Sequence, residues 1–214
     1  METAKLKSIC QSYASVMNEI SLRTLYAGAL HSGKISIGQR FLDYESAAVN
    51  FRKIAELIIF ANLIGHEDEY SALYPNYTTD WNIGQIINKI KKINPDYYPK
   101  ALRGVADQNG SLSSVEDSPS GEWITEDELK DMWGKCSDLI HARNPFLEVL
   151  NLDEYAELFN YWGKKINELL SRHMIRLADN THLIMCVMNP NGTRIPEVNI
   201  FQEDIENMVL RPII

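Results

Sequence analysis

The chain has 214 residues, enough to bury one full core and too few for two large domains. Its hydrophobic fraction of 45% excludes wholesale disorder, and 21 basic against 29 acidic side chains, a formal charge of −8, make nonspecific attraction to nucleic acid or an anionic membrane weak. Cys10, Cys136 and Cys186 are odd in number, far apart and without metal-ligand spacing, which suits a reducing compartment and predicts neither disulfides nor a metal site. The opening METAKLKSIC lacks the charged-then-apolar pattern of a secretory signal, and no uncharged apolar run reaches ~18 residues, so the expected location is cytoplasmic, with no membrane partner.

In chain order, Leu6, Ile9, Cys10, Tyr13, Val16 and Met17 recur at helical spacing and predict an amphipathic helix over Thr3 to about Asn18. Ser21 to Ser32 is a second helix or a continuation of the first, with Gly33 as its stop. The segment Asp43 to His66, capped by Asp43, is the expected centre of the fold, because its apolar residues point in nearly every direction. Within its apolar stripe of Ala48, Ile59 and Leu63, Arg52 and Glu56 lie one turn apart, and charges there need pairing and further polar partners. A short helical turn is expected at Glu67 to Leu73. A helix follows over Trp81 to Ile93, capped by Asp80 and ended by Asn94-Pro95.

Residues 104 to 121 are polar, rich in glycine and serine and without period, and predict a mobile loop or lid, bounded at about 104–123. Thr125 and Glu128 form a capping-box pattern for a helix through Leu129, Met132, Trp133, Cys136, Leu139 and Ile140, closed by Pro145. Asn151 caps the next, with Tyr155, Phe159, Trp162, Ile166 and Leu169 on its core face. After Arg172 the period turns to alternation, giving strands at His173 to Leu177, Thr181 to Met188 and Arg194 to Phe201. The expected fold is mainly α. A helical bundle over 1–172 surrounds one central buried helix, and a small antiparallel β-meander over 173–214 packs on it.

The sharpest chemical signal is His141-Ala142-Arg143-Asn144-Pro145-Phe146 at the end of the Thr125 helix. His and Arg there can cap free carbonyls, or with Asn144 they can bind an anion or a base. If the two helices lie side by side with these ends level, Arg52 and Glu56 complete a polar centre, either a structural ion pair bridging the helices or a ligand site. There is no phosphate-binding glycine loop and no H-E-x-x-H, and His31, His66, His141, His173 and His182 are scattered, so no cofactor is expected.

FRKIAELI, DWNIGQII, INPDYYP and LKDMWGKCSDLIHARNPF, in this order over about Asp43 to Phe146, resemble an uncharacterised bacterial family of helical proteins within or near the HEPN superfamily. Members often carry an R-K-x-x-E central helix and a later helix ending in Arg-Asn. The resemblance implies a helical bundle, often a homodimer, whose active members cut RNA without a metal through an Arg and a His four to six residues further on. Here Arg143-Asn144 match, but Glu148, Val149 and Leu150 stand where the histidine belongs, and His141 lies upstream instead. Arg176 and His182 meet the spacing only across a predicted hairpin. The expectation is a binding or regulatory module of a bacterial defence or toxin-type system, with RNA, a nucleotide or a partner protein as its ligand. The alternatives are a metal-independent ribonuclease using His141 and Arg143, and a sensor of a small anion or nucleotide.

Overall fold

The computed structural model describes residues 3–106, 112–142, 144, 146, 150–204 and 209–213. Its centre is helix α2, Arg40–Ile64, in which Ala47, Ala48, Phe51, Ile54, Ala55, Ile58, Ile59 and Ala61 are buried on several sides at once. Helix α1, Thr3–His31, lies along it. Of the two readings of Ser21 to Ser32 the structure takes the continuation, because Met17, Ile20, Ala27 and Leu30 keep one buried stripe in phase through that point. Gly33 then turns the chain with φ +69°, a left-handed conformation that glycine takes freely.

Two expected caps are corrected. Asp43 sits inside the first turn of α2 and reaches back, accepting from the Ile37 N–H at 2.6 Å and the Ser36 hydroxyl at 2.7 Å. The residue before α2 is Gln39, whose side chain makes no cap bond. After helix α3, Glu67–Leu73, comes helix α4, Ile83–Ile93, and its cap is Asn82, which accepts from the Gln85 N–H. Asp80 binds Lys89 and the Tyr70 hydroxyl instead. Two charged or phenolic donors hold a carboxylate more strongly than one helix-end amide, so the nearer Asn82 is left to cap.

The predicted loop at 104–121 is also corrected: its residues 104–106 and 112–117 belong to strands β1, Lys100–Ala106, and β2, Leu112–Asp117, paired antiparallel, and 118–121 are irregular. Residues 107–111, which connect them, lie outside the described residues. Ala101 and Leu102 enter the core, and Arg103 pairs with Glu116 across the strands at 2.5 Å. Tertiary pairing thus overrides a polar, aperiodic sequence.

Helix α5, Glu126–Ile140, has the expected capping box, with Thr125 and Glu128 each bonding the other's backbone. Helix α6, Leu152–Ser171, begins at Asn151, which caps the Asp153 N–H. Phe159 stacks on Phe51 of α2 with centroids 5.0 Å apart, and Trp162 meets Phe51 edge-on at 6.0 Å. Strands β3, Arg172–Arg176, β4, His182–Val187, and β5, Glu197–Asp204, form the expected meander, and β6, Val209–Pro212, extends it. The sheet order is β2-β1-β3-β4-β5-β6, antiparallel throughout. The fold is mainly α with a C-terminal antiparallel meander, to which the β1–β2 hairpin is joined.

Two buried histidines fasten helices to the sheet. A carbonyl oxygen can only accept, so His173 donates from Nδ1 to Leu170 at 3.0 Å and its Nε2 accepts from the Tyr13 hydroxyl at 2.7 Å. By the same logic His66 donates to the Asn62 carbonyl and accepts from Asn94, which also donates to the Arg176 carbonyl. At this junction a Cβ on Gly65 would overlap the Leu177 side chain just after β3, so a larger residue there would force that side chain to shift.

A polar centre between two helices and an exposed helix end

Helices α2 and α5 pack against each other antiparallel, which brings Arg52 beside Ser137 and Glu56 beside Trp133. Arg52 donates from Nε to Glu56 at 3.1 Å and from Nη1 to the Ser137 hydroxyl. The Trp133 indole N–H donates to the same Glu56 oxygen at 3.0 Å, and its ring lies 4.2 Å beneath the guanidinium. Ser137 in turn donates to the Trp133 carbonyl at 2.8 Å. Each side chain of the ion pair is 19% exposed, so water reaches the edge of the centre but not its middle.

The chemistry of this centre follows from its partners. Glu56 receives two donors on one oxygen, and Arg52 spends its π face on Trp133 and two N–H groups on oxygens of the protein. That satisfies a charge pair set in an apolar stripe and ties two helices together. Below it, burial drives the Cys136 thiol well above its ordinary range against the pull of Arg52, which leaves a neutral, inert cysteine. At the other end of α5 burial would raise the Glu128 carboxyl, but Lys165, Thr125 and Tyr161 hold it down to about 2.

The predicted HARN cluster is divided. Arg52 and Glu56 meet as expected, with the helices side by side. His141 caps the end of α5 one turn beyond Ser137, its N–H donating to the Ser137 carbonyl at 3.1 Å, and it is exposed. Asn144 is also exposed and accepts from the Phe146 N–H at 3.0 Å. Phe146 is 93% exposed. Arg143 lies outside the described residues. Among the described residues no hydrogen bond or ion pair joins Arg52 or Glu56 to His141 or Asn144, so the ion pair's partners are Trp133 and Ser137. The signal for them was present, since Trp133 and Ser137 share the i,i+4 spacing of Arg52 and Glu56.

Arg176 and His182 do not form a pair either. Arg176 binds Glu203 at 2.6 Å and His182 binds Asp179 at 2.5 Å. Among the described residues no three His, Cys, Asp or Glu side chains converge as metal ligands, and no helix is long and apolar enough to cross a membrane. No protein-family model matches the chain, and neither a curated protein nor a solved structure is significantly similar to it.

Proposed function

We propose that the chain is a HEPN-like helical binding or regulatory module of a bacterial defence or toxin-type system, acting as a homodimer in the cytoplasm and engaging RNA through the end of α5. One observation carries this reading. The charged pair inside the bundle is tied to α5 by Trp133 and Ser137, whereas His141, Asn144 and Phe146 stand open to solvent where the same helix ends. A pair bonded across two helices holds their packing. An exposed imidazole, amide and aromatic ring supply the stacking and hydrogen bonds that single-stranded RNA takes.

Light scattering on purified protein is expected to give twice the chain mass, and incubation with diverse RNAs without metal is expected to leave them intact. The exposure of His141 favours one second reading, a metal-independent endoribonuclease in which His141 moves a proton and Arg143 stabilises the developing charge. Cleavage that disappears in both His141→Ala and Arg143→Ala, with melting temperature unchanged, would establish that reading over the first.

A further inference from the structure

A cleft runs along the seam between α1 and α6. It has two lobes of about 280 and 340 Å³ that share Thr24 and Asn167. Along α1 the lining extends from Ile20 to His31 while along α6 it runs back from Ser171 to Phe159, so the helices pass antiparallel and the seam is roughly 16 Å long at ~1.5 Å per residue. Two helical glycines keep it open. Nothing lies within 4 Å of a Cβ built on Gly28, and at Gly163 only Phe51 comes near, at 3.9 Å. Most of the wall is apolar, from Ile20, Ile166, Leu170 and Met188 in one lobe to Phe51 and Phe159 in the other.

The ionisable side chains lining the seam are His31, Lys164 and Arg194, and no carboxylate lines either lobe, although the chain as a whole carries −8. Arg194 stands at one end with φ +59°, a backbone conformation that disfavours any side chain. It is held there by the Asn189 amide oxygen, which accepts the Arg194 N–H at 2.8 Å. Its guanidinium makes no hydrogen bond or ion pair among the described residues. At the other end the His31 Nδ1 is buried with no partner among the described residues.

We propose that this seam binds a medium-chain fatty carboxylate, with its carboxylate on the Arg194 guanidinium and its chain laid along the bare helix surface at Gly28 and Gly163. The planar guanidinium fork matches a carboxylate with two parallel bonds. The seam is long and largely apolar, which suits an extended chain. The site is independent of the α5 end, and each stands or falls without the other.

Titration calorimetry of the full chain with dodecanoate below its micelle-forming concentration tests the assignment, with butyrate and dodecylammonium as controls. One saturable site for dodecanoate is expected, weakened at least about tenfold in Arg194→Gly and in Gly28→Leu, with neither control binding. Both variants are expected to fold, because glycine adopts φ +59° freely and leucine favours a helix. No saturable dodecanoate site, undiminished affinity in either variant, or equally tight binding of dodecylammonium would overturn the proposal.

Discussion

Replacing Glu56 by alanine would remove the one oxygen on which two donors of the α2–α5 joint converge. Arg52 would keep only Ser137 and the Trp133 ring, and the indole N–H would lose its acceptor. Breaking a fully buried pair costs about 3–5 kcal/mol, and an exposed i,i+4 pair contributes about 0.3–0.5 kcal/mol. At 19% exposure on each side, water partly fills the gap, which places the loss at about 2 kcal/mol. Trp133→Phe keeps a ring beneath the guanidinium and removes one donor, for about 1 kcal/mol. The double variant loses that shared bond only once, so the two effects should fall short of additive by about 1 kcal/mol. Urea denaturation of the four proteins measures all of these terms. A Glu56→Ala loss under ~0.5 kcal/mol, or strict additivity, would refute the joint.

Burial lowers the His173 imidazole to about 4. The unfolded chain protonates near 6.5, so between those values it binds more protons than the folded one and stability falls as pH falls. The gap, at ~1.4 kcal/mol per pH unit, amounts to about 3–4 kcal/mol. A ring seen by NMR to titrate near 6.5 in the folded protein would contradict this. Thr125→Ala removes half of the capping box on α5 and is expected to cost about 1 kcal/mol by the same denaturation assay. Burial raises the Cys186 thiol to about 12 and the Cys136 thiol well above its usual range, so a thiol reagent at pH 8 should reach both only in denaturant. Rapid labelling of the native chain at either would show that its burial is wrong.

The sequence revealed most where the apolar pattern or the cap chemistry was local to one element. The all-round apolarity of α2, the capping box of α5 and the alternation after Arg172 each have a single low-energy reading, and each is realised. What it hid depends on partners distant in the chain. The β1–β2 hairpin has a polar, glycine-rich sequence and becomes a sheet edge through pairing of Lys100 and Ala101 with β3, some seventy residues away. Asp43 and Asp80 are good helix caps in isolation, but Ser36 and Ile37 bind the first and Lys89 and Tyr70 the second. The charged pair was legible as a pair needing partners. Which partners was not, because the HARN turn offered more conspicuous polar groups than a serine and an indole one and two turns earlier on α5.

The division of labour between the joint and the helix end is tested most directly by pairing Arg52→Met with His141→Ala in one experiment, reading melting temperature and affinity for single-stranded RNA together. If Arg52 holds the bundle and the α5 end binds, Arg52→Met lowers the melting temperature and leaves the affinity of the folded protein unchanged. His141→Ala does the reverse. Loss of RNA affinity in Arg52→Met at an unaltered melting temperature, or metal-free RNA cleavage abolished by His141→Ala, would contradict it.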